Sequence, residues 1–438
     1  MKKYVVSFMF VAITLTVFAQ NKEDVKYRRS SLHMMVMEDN DLSPQYKQII
    51  VSALDSAPWP DKYDKHDIGI ASYDILSIVV PDASEEEEAG KSKEEEKQDK
   101  KLKGVDKKIE KFLQDEGVAR KLVAKWFNRN PEDGSMDMNL IAERGKYDAT
   151  VLDVSKAKMQ SKSVSTQMRD AGRELIGNTF VIINKANFIE NEIAAAVIYE
   201  ASKIAIETMK EENPMQTLAK TAAKTAAEAL YERTRKGYTV GTRSFLYKLT
   251  WSDSIYKIFS SEHVVLKDMD DEIKKQKALA FENSDLYSME FVGMEKATVM
   301  VLNLKAENLT TEQIIGEATV RTKNKVFAKL QKEYNVFKPK TPLAQVENKG
   351  KLCTAKIGLK EGLTGKEKFD VLEQYTNKEG LTEYKSIGTI KIDKKNIWDN
   401  QFYASEPPVI EGEVAIQATH FKGCKKTYYA GLLIRQKK

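Results

Sequence analysis

The most regular hydrophobic pattern of the chain lies in residues 143–188. Four apolar residues recur there at spacings of four, three and four positions: Val164, Met168, Ala171 and Leu175. This spacing places them on one face of a helix. Gly177 and Asn178 follow, and both tolerate the left-handed backbone that ends a helix, so we expect the chain to turn back there. Residues 179–183 are a continuous run of β-branched and aromatic residues, which predicts a buried strand beneath a helical layer.

The charged residues of this helix lie mostly off its apolar stripe. They include Arg169, Asp170, Arg173 and Glu174. Charged pairs on a solvated helix face contribute only tenths of a kcal/mol each. The sequence therefore predicts that this face is exposed or lightly paired. It also predicts that the helix and the strand are the structural core of the main domain and not a site.

An Ala-rich helical pair is predicted next, at 191–209 and 215–235, separated by Asn213 and Pro214. The first helix carries an apolar stripe of Ile193, Val197, Ala201, Ile204 and Ala205, and the second carries one of Leu218, Ala222, Thr225 and Ala229. Charged residues on both helices exclude a transmembrane pair. This coiled-coil-like hairpin has two open interpretations, an interaction surface or an insertion packed on its own domain.

Weaker patterns predict the surrounding elements. We expect helices at 105–114, 117–127, 137–144 and 268–282. We expect extended segments at 69–80, 147–154, 238–251 with a hairpin mate at 254–259, and 286–304 as two strands broken near Gly293. Thr310 and Gln313 form a capping box that opens a long helix.

The last hundred residues differ from the rest because short apolar runs alternate with turns. Strands are predicted at 352–359, 368–374, 384–392, 414–419 and 428–435, with a hairpin loop at 377–380. Such spacing predicts a small antiparallel barrel or sandwich. Gly358, Gly362 and Gly365 match neither the Rossmann nor the P-loop spacing, so hairpin turns explain them.

Together these patterns predict an α+β fold, with a helix-and-sheet main domain, an Ala-rich helical hairpin insertion and a small C-terminal antiparallel β-barrel or sandwich. The expected divisions are a signal peptide at 1–19, an N-terminal region packed on the main domain at 20–82, a charged low-complexity insertion at 83–104, the main domain at 105–337 with its hairpin at 191–236, and the β domain at 338–438 after a linker at 337–343.

The N-terminus has the form of an export signal. Lys2 and Lys3 precede an apolar run, and Val17 and Ala19 occupy the small-residue positions that signal peptidase reads. The run is about 15 residues, whereas a membrane span needs about 20. We therefore expect cleavage after Ala19 and a location in the periplasm or at the outer membrane without a transmembrane helix. An uncleaved anchor or a buried N-terminal helix is the alternative.

Charge gives no argument for a nucleic-acid partner. The formal charge of +5 falls to +3 without the two lysines of the signal, while 70 basic and 65 acidic residues nearly balance. Proteins that bind nucleic acid usually show clustered basic surface. No nucleic-acid partner is predicted.

Cysteine and histidine usage predicts a disulfide and no metal. Cys353 and Cys424 are the two cysteines of the chain, and an oxidising compartment favours their pairing. Two buried free thiols are the alternative. The four histidines, His33, His66, His263 and His420, are scattered, and no Cys-x-x-Cys occurs. We predict neither a metal site nor a cofactor.

The sequence offers few catalytic motifs. It contains no Gly-x-Ser-x-Gly elbow and no His-Glu-x-x-His. Residues 155–158 match Ser-x-x-Lys, but the motifs that accompany it in penicillin-binding enzymes are missing. A glycosidase carboxylate pair depends on a separation of roughly 5 to 10 Å that only the fold sets. The tryptophans that often line sugar clefts are spread over positions 59, 126, 251 and 398. No catalytic residue is assigned.

Several stretches carry a resemblance to known proteins: RDAGRELIGNTFVIINKANF, YTVGTRSFLYKLTW, EQIIGEATVRTKNKVFAKLQKEYNVF, IGLKEGLTGKEKFDVLEQ and YYAGLLIRQ. They resemble a group of uncharacterised exported proteins of Gram-negative anaerobes, over most of the chain after about Val118. The layout is also similar to the flagellar T-ring and curli-pore envelope families, which implies an assembly role at the outer membrane. The lipidated cysteine of curli-pore proteins is missing here, and no residue role carries over.

The leading hypothesis is a non-enzymatic exported envelope protein that acts through protein contacts, with a protein partner or by self-association. A glycan-active hydrolase of the envelope is the first alternative, and it predicts a concave site with two close carboxylates beside Trp or Tyr. A small-ligand carrier is the second, and it predicts a sizeable apolar pocket.

Overall fold

A computed structural model describes most of the chain after the N-terminal segment: residues 27–39, 44–80, 107–144, 164–235, 237–302, 310–347, 352–400 and 416–437. Four sequence predictions lie outside these residues: the signal peptide, the charged insertion at 83–104, the extended segment at 147–154 and the Ser-x-x-Lys match at 155–158.

Helices and strands are mixed along the chain, so the fold is α+β. The helices are α1 Pro44–Ser56, α2 Lys107–Asp115, α3 Val118–Trp126, α4 Asn139–Arg144, α5 Val164–Leu175, α6 Asn191–Glu207, α7 Pro214–Thr234, α8 Asp253–Ile258, α9 Asp271–Glu282 and α10 Thr311–Glu333. The strands are β1 Ser30–Glu38, β2 Tyr63–Lys65, β3 Ser72–Asp74, β4 Thr179–Glu190, β5 Gly237–Leu249, β6 Met289–Leu302, β7 Thr341–Glu347, β8 Leu352–Ala355, β9 Lys368–Thr376, β10 Thr382–Ile392, β11 Thr419–Lys422 and β12 Leu433–Gln436.

The first six strands form one mixed sheet. Its order is β2, β1, β4, β5, β6, and β3 pairs with β1 beyond β2 on the same edge. β1 runs parallel to β4, while β4, β5 and β6 form a long antiparallel ribbon. The predicted strand at 179–183 is therefore a central strand, which explains its continuous apolar run.

Helices cover both faces of this sheet. Alternate residues of β4 point to opposite sides and therefore contribute to two different cores. Val181 and Ile183 belong to one core cluster with α2 and α3, in which Trp126 is fully buried. Phe180 and Ile182 belong to another, with Phe337 and part of α10. The capping box at Thr310 and Gln313 is present, and it starts α10 as predicted.

The C-terminal strands close into a six-stranded antiparallel barrel. Its order around the ring is β10, β11, β8, β7, β12, β9. The barrel encloses its own core, in which Phe369 and Phe421 meet edge to face. Gly380 has a φ of 82° in the turn between β9 and β10, a conformation that favours glycine. Of the predicted alternatives, barrel and sandwich, the structure has the barrel.

Several local predictions are wrong for identifiable reasons. The expected hairpin mate at 254–259 is helix α8, because the Ser252 hydroxyl accepts from the backbone N–H of Ile255 and caps a helix. The two strands expected at 286–304 are one strand, β6, with a bulge in its pairing to β5. The strand expected at 69–80 is three residues long and ends where Asp74 caps a 3-10 turn.

Two breaks between elements also differ from those predicted. α5 ends in a 3-10 turn, Ile176–Asn178, and Gly177 is not in the left-handed region. The turn leads directly into β4. The linker expected at 337–343 is shorter than predicted, since β7 begins at Thr341 and Phe337 is fully buried against the main domain.

Candidate interaction surface

The helical hairpin of α6 and α7 connects the ends of β4 and β5. Its turn is encoded at Asn213 and Pro214, as predicted. The Asn213 side chain accepts from the backbone N–H of Gln216 at 2.9 Å, and Pro214 stands in the first turn, where its missing N–H costs no hydrogen bond. The two helices therefore form a compact antiparallel pair at the end of the ribbon.

The stripe that joins the two helices is not the one that the sequence pattern predicted. On α6 the inward residues are Ala195, Tyr199, Ser202 and Ile206. The rings of Tyr199 and Tyr231 stack with their centroids 4.8 Å apart. Lys220 on α7 donates to the carbonyls of Glu207 and Met209 at the end of α6. Small and amphipathic side chains thus hold the hairpin together.

The predicted apolar stripes lie on the solvent side of each helix. Ile193 is 69% exposed, Val197 65% and Leu218 70%. No residue of α7 is buried. Exposed apolar residues that are grouped on one face are common at interaction sites, so the hairpin is a candidate surface. The residues that pack inward, Ala195 and Ile206, are different from those of the predicted stripes.

Exposed apolar residues also occur on the strands at the base of the hairpin. Ile189, Thr239 and Met300 are in register across β4, β5 and β6 and so share one face of the ribbon. Ile189 is 44% and Met300 56% exposed. These residues lie at the end of the sheet from which the hairpin extends.

No helix within the described ranges is long and apolar enough to cross a membrane.

A second notable cluster is buried between α5 and the barrel, and we call it the junction network. It consists of Arg28, Asp170, Glu174, Lys340, Thr382 and Tyr384. Arg28 precedes β1, the two acids stand on α5, Lys340 precedes β7, and the last two residues belong to β10. The network therefore joins the sheet, its covering helix and the barrel.

Asp170 holds the start of β10. Its carboxylate accepts from the backbone N–H of Thr382 at 2.6 Å and from the Thr382 hydroxyl at 2.7 Å. It also accepts from the Arg28 guanidinium at 3.2 Å, and both charged side chains are almost fully buried. Charge-assisted hydrogen bonds to a fixed backbone position orient the barrel on the main domain.

Glu174 is held from three sides. Arg28 donates to it at 3.1 Å, and Lys340 and the Tyr384 hydroxyl donate to its other oxygen. Burial alone raises the pKa of Glu174, but Lys340 and Arg28 outweigh burial, so the pKa of this carboxyl lies below its usual range. Burial lowers the pKa of Lys340, and Glu174 opposes that shift. Because Arg28 is always protonated, we take Glu174 as ionised.

The junction network corrects the prediction of a solvated helix face. Asp170 is 3% exposed, and its partners come from positions 142 and 212 residues away. Arg169 also contacts the barrel, since it donates to the carbonyl of Glu379 at 3.3 Å. One sequence signal was available: Asp170 and Glu174 are four residues apart and so share one side of the helix. Nothing in the sequence identified Arg28 as their partner.

Cys353 and Cys424 form a disulfide within the barrel, with their Cα atoms 6.3 Å apart. Cys353 stands on β8 and is fully buried, and Cys424 follows β11. The bond closes 71 residues of sequence. It connects adjacent parts of the barrel wall and is structural in position.

Each histidine has its own structural surroundings. Burial lowers the pKa of His33 and of His66 to about 4. A ring nitrogen of His66 hydrogen-bonds the carbonyl of Leu122, and one of His263 hydrogen-bonds the Tyr287 hydroxyl at 2.6 Å. His420 lies on β11 in the barrel. Within the described part of the chain, no three His, Cys, Asp or Glu side chains are grouped to hold a metal ion.

Two cavities of the described structure bear on a small-molecule site. One of about 70 Å³ lies at the β1 edge beside Trp59, Asp55 and Lys323, well below the 300 Å³ or more typical of ligand pockets. Another, of about 350 Å³, lies between α2, α3 and β6, beside Arg120 and Tyr287. Its lining is mainly polar, unlike the apolar pocket that a carrier predicts.

Three of the four tryptophans have structural partners. The indole N–H of Trp126 donates to the Thr179 hydroxyl at 2.8 Å, and that of Trp59 donates to the carbonyl of Tyr63 at 2.9 Å. Trp251 packs on the core beneath α5. The closely placed carboxylates of α5 are enclosed by cations and by the barrel, so they do not form an open sugar cleft.

No protein-family model matches the chain, and no curated protein matches it either. Function is therefore inferred from the geometry of these surfaces.

Proposed function

We propose that this is a non-enzymatic exported envelope protein that acts through protein contacts, in an assembly or scaffold role. The observation that carries the proposal is the pair of apolar stripes that α6 and α7 present to solvent. Their exposure lets a partner bury them without any rearrangement of the fold. At about 25 cal/mol per Å² of apolar area, a partner that covers several such side chains gains several kcal/mol.

The rest of the molecule supports this role as a rigid base. β4 and β5 run without interruption from the core to the hairpin, and the junction network holds the barrel against α5. A surface mounted on a fixed scaffold loses little entropy when it binds. The export signal in the sequence and the disulfide both favour an oxidising compartment outside the cytoplasm.

The two alternatives find less support. A glycan hydrolase needs two accessible carboxylates, whereas Asp170 and Glu174 are occupied by Arg28, Lys340 and Thr382. A carrier needs an apolar pocket, whereas the 350 Å³ cavity is mainly polar. Neither alternative uses the exposed stripes of the hairpin.

The proposal is tested by photocrosslinking in the native cell envelope. A photoreactive amino acid replaces Val197 or Leu218 in the hairpin, or Leu279 on α9 as the matched control, which is also an exposed apolar helical position at 63%. We expect covalent adducts with protein at the two hairpin positions and not at the control. A folded, exported protein that gives no protein adduct at either hairpin position would contradict the proposal.

A further inference from the structure

The outer wall of the barrel carries four lysines at one level, and we call them the lysine row. Lys368 on β9 stands opposite Lys391 on β10, and Lys391 stands opposite Lys422 on β11. Lys437 follows β12, and its backbone N–H donates to the carbonyl of Lys368 at 2.8 Å. All four residues are exposed. The row therefore crosses four neighbouring strands.

The register of the strands fixes the direction of the row. The strand neighbours of its lysines, Phe369, Ile390 and Phe421, are buried in the barrel core. Because successive side chains of a strand point to opposite faces, the lysines beside them point outward. Residues directly opposite each other on one face have Cβ atoms about 5 Å apart. The backbone of the barrel thus holds like charges side by side.

This arrangement is unfavourable for the barrel alone, since like charges directly opposite each other destabilise a sheet. The two outer lysines of the row have carboxylate partners: Lys422 with Asp393 at 2.9 Å and Lys437 with Asp370 at 3.6 Å. Within the described part of the chain, the two central lysines, Lys368 and Lys391, form no ion pair. A bound polyanion would supply the negative charge that these two lysines lack.

The loops beside the row add to its positive charge. Lys394 lies against Gly365, where an added Cβ would come within 2.8 Å of the lysine side chain. Lys425 donates to the carbonyl of Ile387 on β10 at 3.0 Å. Four segments meet here and contain ten basic and three acidic side chains: residues 364–370, 391–395, 422–426 and 435–437. The near balance of charge in the whole chain conceals this local excess.

The shape and the residue types of this surface favour a lipid layer among polyanions. Neighbouring strands are about 4.8 Å apart, so the row extends about 14 Å around the convex outside of the barrel. Phe369 is the one aromatic residue of the four segments and is buried, whereas proteins that bind single-stranded nucleic acid stack bases on aromatic side chains. Arg435 is their one arginine, the residue type suited to bidentate recognition. Lysine point charges on a convex wall suit a layer of mobile headgroups.

We propose that the lysine row and the loops beside it bind the anionic phospholipid headgroups of a membrane surface. The contact is electrostatic and peripheral, because the row contains lysines and no apolar anchor. This inference goes beyond the proposed function, since it uses no residue of the hairpin and names a second surface on a different part of the chain.

The test is co-sedimentation of the full mature chain with lipid vesicles. The anionic vesicles contain phosphatidylglycerol and phosphatidylethanolamine in equal parts, and the uncharged reference is phosphatidylcholine alone. The row variant carries Lys368→Gln, Lys391→Gln and Lys422→Gln. The matched control removes the same charge from three exposed lysines of the main domain: Lys267→Gln, Lys275→Gln and Lys325→Gln.

We expect the unsubstituted chain to bind the anionic vesicles and not phosphatidylcholine, and the binding should weaken as salt is added. A lysine at an anionic membrane surface contributes a factor of about five, so the row variant should bind about a hundredfold more weakly. The control should keep its affinity. The thermal midpoint of the row variant at low salt should be unchanged or higher, because repulsion between strands is removed. If the row variant fails to fold, Lys391→Gln alone replaces it, with an expected loss of about fivefold.

Three outcomes overturn the inference. If the unsubstituted chain binds both kinds of vesicle equally or neither, the barrel has no site for anionic lipid. If the row variant binds as tightly as the control, the vesicles contact another surface. If duplex DNA binds more tightly than the vesicles and the row variant loses that binding, the surface belongs to nucleic acid and not to a membrane. Because none of these measurements involves the hairpin, their failure is distinguishable from a failure of the crosslinking test.

Discussion

Helix α5 and the helical hairpin differ from their sequence patterns in opposite directions. The charged side of α5 was expected in water, yet Asp170 is 3% exposed beneath the barrel. The apolar stripes of the hairpin were candidates for burial, yet Leu218 is 70% exposed. Amphipathic spacing therefore gives the direction of a face but not what covers it. Coverage depends on elements that are distant in sequence.

The largest expected effect comes from opening the junction network. Arg28→Ala leaves two buried carboxylates short of a cation, and removing one partner of a buried pair costs about 3 to 5 kcal/mol. We expect a lower urea midpoint and earlier proteolytic release of the barrel. Lys111→Ala is the control, because it removes an exposed pair with Asp115 that is worth at most about 1 kcal/mol. Equal stability losses in the two variants would show that the buried contacts of Arg28 contribute no more to the free energy of unfolding than an exposed ion pair does.

The second largest effect is expected from acid, which should lower the free energy of unfolding of the main domain. Burial lowers the pKa of His33 and of His66 from 6.5 to about 4, so the unfolded chain binds more protons than the folded chain between these values. The contribution of the two neutral histidines to the free energy of unfolding is therefore fully present above about pH 6.5. It falls as the pH drops toward 4. Each histidine should cost about 2 kcal/mol at pH 5.

Urea unfolding at pH 7 and pH 5 measures this loss. The depressed pKa of Glu174 adds a further loss only at lower pH, as the solution falls below the carboxyl's ordinary value of 4.5. The hairpin helices contain no histidine, so a variant without them should lose as much stability at pH 5 as the complete chain. A free energy of unfolding that does not change between the two pH values would contradict the buried, neutral state of both rings.

A smaller effect is expected when one hydrogen bond of the junction is removed. Tyr384→Phe deletes a donor to the buried, ionised Glu174, and such a bond contributes about 1.5 to 3 kcal/mol. Tyr375→Phe is the matched control, since Tyr375 donates to Glu383 on the exposed side of the same β9 and β10 pair. The difference between the two urea midpoints isolates the contribution of burial, and no difference would argue against it.

The smallest effect on stability is expected from removal of the hairpin. Residues 191–237 are replaced by Asn-Gly, which closes β4 on β5 directly because Glu190 pairs with Tyr238. The hairpin buries few side chains, so its removal should change the free energy of unfolding by less than about 1 kcal/mol. The thermal midpoint measures this change. The same variant should lose all protein contacts of the hairpin. A severe loss of stability would mean that the hairpin is a structural part of the main domain.

Much of the fold was predictable because it depends on local pattern. The helix that ends at Leu175, the strand after it and the break at Asn213 and Pro214 follow from periodicity and from backbone preferences of nearby residues. The capping box of α10 was visible for the same reason. The predictions failed where a local pattern fits two structures, as at residues 254–259, where a Ser cap decided for a helix.

The candidate surface was predictable in part. The stripes of the hairpin were visible in the sequence, but their exposure was not. The two helices contact each other through Tyr199 and Tyr231 instead of through the stripes. The junction network could not be predicted, since Arg28 and Thr382 reach Asp170 from 142 and 212 residues away. Such partners are chosen by the topology of the sheet and the position of the barrel.

Local spacing is enough to predict the α+β character of the chain, most helices and strands, and the small β domain at its end, because these depend on ten or twenty neighbouring residues. The closure of the barrel, the burial of the α5 carboxylates and the exposure of the hairpin stripes depend on the tertiary structure. They do so because burial requires two surfaces in contact. A sequence states which side of an element is apolar or charged, and only the assembled fold determines whether another surface lies against it.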